Sequence, residues 1–386
     1  MAEVQDIFLR YGVAYVEKHK LSYIQHKAMS AIQKCRTSQL GGHIDICENC
    51  GDTRISYNSC RNRHCPKCQT LAKERWIENQ RANLLDIGYF HIVFTIPDTL
   101  NLMVYQNQRE LYTLMFKAVA ETLTELASDK KYLGAKLGFT SVLHTWGQNL
   151  MHHPHIHCIV PGGGLSSTGK WVNSRKKFFI PVKVLSHKFR GKFLYYLKQL
   201  YLQNKLEFHG SEAYLSDTIK FETLLSFVYS KEWIVYCKPP FKGAACVVEY
   251  LGRYTHRVAI SNKRIVSIEN NSVTFKWHDY KDNSKCKLMT ISAEEFIRRF
   301  LVHILPNGFM KIRHYGLLGN RNKNTKLKTC KQLTNTPILL KEKISTIKLI
   351  QKLTGRDLSK CPNCGSDKLI RRSCFSKSPP SSLQTV

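Results

Sequence analysis

Leu143-His-Thr-Trp-Gly-Gln148 and, a short turn later, His153-Pro-His-Ile-His157 decide how this chain folds. His155 and His157 stand two apart around an apolar residue. On a strand both imidazoles leave one face while Ile156 enters the core. Leu143 to Gln148 reads as a preceding strand, and Asn149 to Pro154 as the turn that folds the two into a hairpin. Gln148 is then expected to face His155 near the turn. That makes it the first choice for a third metal ligand, with His144 second and His152 and His153 as turn residues. Two neutral imidazoles on one strand face are a partial metal site. An ion held there with open positions suits the oxygens of a phosphodiester. Mg²⁺ and Mn²⁺ both match an imidazole and amide-oxygen set. Taken alone, a His-x-His pair is more often packing than ligation, so its neighbours decide.

A second stretch is Tyr250-Leu-Gly-Arg-Tyr254. From Gly243 to His256, apolar residues recur at three- and four-residue spacing after Pro239-Pro240, which predicts a helix. Tyr250 and Tyr254 share one face of it. A phenol ionises only near pH ~10 and is a poor nucleophile until its target phosphate is activated. Arg253, His256, Arg257, Lys263 and Arg264 supply positive charge for such a phosphate. On its own a Tyr-x-x-x-Tyr pair is usually core.

Across 386 residues, 59 Lys and Arg oppose 28 Asp and Glu, a formal charge of +31. An excess of this size calls for a polyanionic partner, nucleic acid first. No apolar run approaches the roughly twenty residues a membrane span needs, and the acidic start Met-Ala-Glu-Val-Gln-Asp is no signal peptide. The expectation is an intracellular, cytoplasmic and nucleoid-associated protein without a membrane partner. In that compartment the fourteen cysteines need a reason other than disulfides.

Their spacing supplies one. Cys47-Glu-Asn-Cys50 and Cys65-Pro-Lys-Cys68 are two Cys-x-x-Cys pairs that fit a tetrahedral Zn²⁺ site. Cys35, His43, Cys60 and His64 crowd the same segment, and eight donors would serve two ions, which leaves a second site open. Arg61, Arg63 and Lys67 lie between the ligands and suit phosphate contacts. Downstream, Tyr89 to Ile96 reads as a buried strand, 101 to 132 as an amphipathic helix, 137 to 146 and 155 to 161 as strands. Gly162-Gly163-Gly164 reads as a flexible turn, or else as bare backbone that lets DNA approach closely. Helices near 186 to 207 and 219 to 230 and the strand Trp233 to Cys237 follow. This order is the split βαβ pattern of an antiparallel sheet, with the histidine strand central. The fold class is α+β: a helical zinc-binding module over 1–86, an antiparallel sheet with helices on its faces over 87–318, and a basic linker with a small knuckle and a disordered tail over 319–386.

Taken together these segments resemble the two-tyrosine HUH transposases of the insertion-sequence ninety-one family. The resemblance lies in Cys35-Arg-Thr, Leu40-Gly-Gly-His43, Ser59 to Gln69, Leu143 to Gln148, His153 to His157, Val160-Pro-Gly-Gly-Gly164 and Tyr250 to Tyr254. Glu295 to Phe300, His303-Ile-Leu-Pro306 and Ile312-Arg-His-Tyr-Gly316 extend it, so that it covers roughly residues 5 to 320. It implies an HUH-type sheet and a rolling-circle transposase in which Tyr250 or Tyr254 attacks single-stranded DNA at element ends and target. The products would be a 5′-phosphotyrosine link and a 3′-hydroxyl, with His155, His157 and Gln148 at the ion. No Gly-x-x-x-x-Gly-Lys-Ser/Thr loop is present, so strand separation falls to host helicase and replication proteins. Alternatives are a plasmid replication initiator of the same chemistry and a non-catalytic, zinc-dependent nucleic-acid-binding regulator.

Two regions remain. Residues 258 to 291 read as a β hairpin turning at Asn270-Asn271, with Phe275 and Trp277 either stacking on bases or packing in a core. Cys361-Pro-Asn-Cys364-Gly is half of a zinc knuckle, for which Cys374 and Cys330 are the expected partners.

Overall fold

The computed structural model describes residues 2–175, 180–241, 247, 252, 258–279, 282–338 and 344–375. The chain is mixed α+β and its sheets are antiparallel. It divides into two units: Met1–Trp76 with His256–Ile304 and Glu342–Val386, and Ile77–Thr255 with Leu305–Lys341. These do not follow the expected boundaries at 86 and 318. The hairpin region and the C-terminal knuckle both group with the N-terminal module.

In the second unit, five strands run in the order Ile312–Gly316, Gly138–Trp146, His152–Pro161, Tyr89–Thr95, Val235–Phe241. The histidine strand is the middle one. Alternation along it divides its residues cleanly. Ile156, Cys158 and Val160 join Phe90, Ile92 and Phe94 in the main core, together with Leu111, Met115, Phe116, Phe189 and Phe193 of helices Gln108–Ser128 and Val182–Leu202. The helices therefore cover one face, and His155 and His157 leave by the other. The expected helix over 101 to 132 is two, Asn101–Gln106 and Gln108–Ser128. Buried Asn107 stands between them, its amide donating to the carbonyl of Glu207 at 2.8 Å.

Gly163 and Gly164 form no flexible turn. They open a short strand, Gly163–Leu165, paired with Trp171–Asn173. A Cβ on Gly163 would lie 2.5 Å from the carbonyl of Val172, and one on Gly164 2.6 Å from that of Lys136. Backbone approaches that close leave room for glycine alone.

In the first unit, helix Val4–Lys18 buries Val4, Ile7, Phe8 and Tyr15 and helix Tyr23–Gln33 buries Ala28, Met29 and Ile32, and Ser22 with Gln25 forms a capping box at the second. Strands Ile265–Glu269, Ser272–Asp279 and Lys285–Ser292 make a meander, turning at Asn270 and Asn271 with φ of 46° and 58°. Both asparagines take the left-handed conformation that a two-residue hairpin turn requires. Phe275 is buried against Phe296, so of its two readings the core one applies. A second sheet joins Gly42–Cys47 to Thr53–Tyr57 on one side and to Leu369–Phe375 on the other.

Asp45 anchors that second sheet. Its carboxylate accepts from Arg54 and from Arg371, each at 3.1 Å, and the three residues come one from each strand. Burial pushes its pKa up, but the two guanidiniums outweigh that and hold it below the usual carboxylate range. The stability it contributes is therefore present above the unfolded value and is lost as pH falls through the lowered native one. Asp45→Ala is expected to cost about 2 kcal/mol in denaturant unfolding, less than a fully buried pair because both arginines keep access to water. The second unit should also weaken in acid. Burial lowers His152 and His314 to about 4, so below pH 6.5 the unfolded chain takes up protons that the native chain refuses. Thermal melts should fall between about pH 6.5 and 4, and His314→Gln should flatten that fall.

Candidate metal centres and nucleic-acid interface

Pairing across the hairpin sets the imidazole site. His144 stands directly opposite His155, and Trp146 opposite His152. Gln148 lies in the turn beyond the paired residues, not across from His155 as expected, because the register shifts between His144 and Trp146 and the turn takes up the remaining residues. His144, the second choice, forms a group with His155 and His157. One nitrogen from each lies within 4.8 Å of the other two. Ring centroids are 4.4 Å apart for His144 and His157 and 4.8 Å for His155 and His157. His144 and His157 are buried, and Trp146 stacks on His144 at 4.6 Å.

The hydrogen bonds behind the rings decide which nitrogens face the site. His155 Nδ1 is 2.7 Å from the carbonyl of His153. A carbonyl only accepts, so Nδ1 carries the proton and Nε2 carries the lone pair. His157 Nδ1 is 2.8 Å from His91 Nε2. Burial, then the positive charge of Lys238, pushes His91 down to about 3, so it is neutral at ordinary pH. When His157 Nδ1–H donates to His91 Nε2, the Nε2 lone pair of His157 is likewise presented. Three imidazoles, two of them with Nδ1 engaged, fit a divalent ion with open positions.

His91 escaped the sequence reading, although a lone histidine inside the apolar strand Tyr89–Thr95 was a signal. Its parity within the strand puts it on the histidine face. His91→Leu leaves His157 without its acceptor. Mn²⁺ binding, followed by titration calorimetry, is expected to weaken about 10–100-fold, with unfolding little changed and a milder loss for His91→Gln.

The cysteines form two tetrads, and not the ones that spacing suggested. Cys35, Cys60, Cys65 and Cys68 make one; Cys47, Cys50, Cys361 and Cys364 make the other. Cys47 and Cys50 thus part from Cys65 and Cys68. Sulfur separations in the first tetrad are 3.6 Å for Cys35 to Cys68, Cys60 to Cys68 and Cys65 to Cys35. Four thiolates at ~2.3 Å from Zn²⁺ would stand about 3.8 Å apart, whereas a disulfide would need ~2.0 Å. The set fits zinc. Cys65 and Cys68 are placed by helix Pro66–Arg81, whose first residue is the proline between them, and Cys35 follows helix Tyr23–Gln33.

His43 and His64 belong to neither tetrad. His43 instead approaches Asp45 at 3.5 Å. Cys330 packs with Leu85, Leu317, Leu318 and Leu327 rather than with Cys361. Cys374 sits opposite His43 in the strand pairing, and its side chain lies outside the described residues.

The basic residues divide. Lys67 bonds Glu3 at 2.5 Å and Gln5 at 2.6 Å, which turns it inward, away from the phosphate role. Burial pushes the Arg63 guanidinium down. Arg61 and Lys263 are exposed. Tyr250, Tyr254, Arg253 and Arg257 lie outside the described residues.

Comparison with known proteins gives these centres a context. Residues 138–326, which hold the imidazole face, match a family described as "Putative transposase". Residues 7–96 match one described as "Transposase zinc-binding domain". The class is that of transposases with a zinc-binding module. The chain is 48% identical over 379 residues to "Putative transposase y4qJ" of Sinorhizobium fredii, covering 97% of this chain and 95% of that one. It is 28% identical over 312 residues to the "Transposase for insertion sequence element IS801" of Pseudomonas savastanoi pv. phaseolicola, covering 79% of this chain and 73% of that one. No solved structure matches. The chain belongs to the insertion-sequence ninety-one (IS91) family of transposases. Among the described residues, no helix is long and apolar enough to cross a membrane.

Proposed function

We propose that this transposase cuts and rejoins single-stranded DNA by tyrosine attack, on an HUH-type sheet, as one enzyme of rolling-circle transposition. The observation that carries the reading is the set of three imidazoles on the sheet face opposite the helix-covered core, two of them with Nδ1 already engaged. His144, His155 and His157 would hold a divalent ion, Mg²⁺ or Mn²⁺. When bound, it supplies a positive charge that neutralises the scissile phosphate. Cys35, Cys60, Cys65 and Cys68 would hold structural zinc.

The phenol oxygen of Tyr250 or Tyr254 forms the new P–O bond, and the bond from phosphorus to the 3′-oxygen breaks. A 5′-phosphotyrosine and a 3′-hydroxyl result, the latter taking up the proton. The energy of the broken bond stays in the link, so rejoining runs back by attack of a 3′-hydroxyl without a nucleotide cofactor. Two tyrosines four residues apart let one strand be held while another is cut. Exposed Arg61 and Lys263, with Arg253 and Arg257, bind the backbone of the substrate, which is single-stranded DNA at element ends and target. Host replication and helicase proteins supply the unpaired strand, in the cytoplasm at the nucleoid.

Labelled single-stranded DNA carrying the element's end, with Mn²⁺, tests this directly. The unaltered chain should form a covalent adduct resistant to denaturant. Tyr250→Phe combined with Tyr254→Phe should abolish it while leaving DNA retention intact, and His155→Ala should reduce cleavage at least about 100-fold. Adduct surviving in the double tyrosine variant would sink the mechanism. DNA retention without any adduct from the unaltered chain would leave a non-catalytic binder.

A further inference from the structure

We infer that Cys47, Cys50, Cys361 and Cys364 hold a second zinc ion, a clasp that completes the N-terminal zinc module with a segment more than three hundred residues downstream. This centre does not depend on the strand-cutting chemistry. The family region described as zinc-binding ends at residue 96 and contains only half of its donors.

The two halves are the same motif written twice: Cys47-Glu-Asn-Cys50-Gly51 and Cys361-Pro-Asn-Cys364-Gly365. They fold alike. Gly51 N–H donates to the carbonyl of Cys47 at 2.9 Å, and Gly365 N–H to that of Cys361 at 3.0 Å. Both glycines take φ of +73°, a left-handed turn that a Cβ would strain. Each knuckle closes on the strand side in the same way: Cys47 N–H donates to the carbonyl of Asp52 at 2.9 Å, Cys361 N–H to that of Ser366 at 2.7 Å.

The knuckles also face each other reciprocally. Cys47 Sγ is 3.6 Å from Cys364 Sγ, and Cys50 Sγ is 3.6 Å from Cys361 Sγ. The Asn49 amide donates to Cys364 Sγ at 3.6 Å and the Asn363 amide to Cys50 Sγ at 3.8 Å. Amide donors aimed at sulfur stabilise thiolate, the state a metal needs. All four sulfurs lie within 4.8 Å of one another, near the about 3.8 Å spacing of a four-thiolate zinc site and far from a disulfide. Strand pairing supports the same junction. Strand Leu369–Phe375, which follows the second knuckle, runs antiparallel to Gly42–Cys47, which leads into the first, with Cys47 opposite Leu369.

Zinc content of the purified full-length chain, measured by elemental analysis, decides the matter. Two equivalents are expected. Cys361→Ser with Cys364→Ser should leave one, as should Cys47→Ser with Cys50→Ser. Combining all four substitutions should still leave one, because both pairs serve the same ion. Two equivalents retained without Cys361 and Cys364, or none left in the fourfold variant, would overturn the clasp, as would a single equivalent in the unaltered chain. Should those variants fail to fold, the exposed single position Cys364→His provides an independent reading. It should keep two equivalents, and its cobalt-substituted form should lose thiolate charge-transfer absorbance relative to the unaltered chain. An unchanged spectrum would show that Cys364 is no ligand.

Discussion

Everything in the larger unit hangs on the two-residue period of one strand. Along His152–Pro161 the even residues 156, 158 and 160 enter a core shared with two long helices, and the odd residues 155 and 157 are left for the opposite face. Sliding the strand by one residue would bury two imidazoles among phenylalanines and expose Ile156, at a cost of several kcal/mol. The apolar packing thus holds the register, and the register holds the imidazoles. The neighbouring strands obey the same parity: Phe90, Ile92, Phe94, Phe139 and Leu143 turn inward, while His91 and His144 turn toward the site. A cluster of imidazoles emerges because three strands are pinned by apolar packing on their other side.

That much could be seen in the letters. The central strand, the hairpin, the direction of His155 and His157 and the Asn270-Asn271 turn all follow from short-range periodicity and turn chemistry. What could not be read was register at the turn. Placing Gln148 across from His155 assumed an uninterrupted ladder, whereas the irregularity between His144 and Trp146 moves the pairing and sets His144 opposite His155. His91 stayed hidden for a related reason. Its function is expressed through a neighbour 66 residues further along the chain, and only the sheet order brings the two rings together.

The cysteines teach a different lesson about distance. Proximity in sequence favoured joining Cys47 and Cys50 to Cys65 and Cys68, because short loops close at low entropic cost. That cost grows only with the logarithm of loop length, so a partner hundreds of residues away is scarcely worse once other contacts have brought it near. Here the contacts are visible: a full strand pairing and the Asp45 carboxylate gripping arginines on both sides. The better signal in the sequence was identity of form, since Cys-x-Asn-Cys-Gly occurs at 47 and again at 361 and the two copies fit one another.

The sheet that joins Gly42–Cys47 to Leu369–Phe375 also bears on the order in which the molecule can be made. A ribosome emits the first fifty-odd residues long before the strand that completes their sheet. Throughout that interval the edge of Gly42–Cys47 lacks its partner, and Asp45 has only Arg54. The module that begins the chain is therefore among the last parts to be finished, and a polypeptide halted before residue 361 carries both zinc-reactive cysteines of the first knuckle with nothing to close over them. Synthesis carried through to the far strand becomes a condition for a complete module, so that unfinished copies of a protein built to act on DNA are left with that part of the molecule half made.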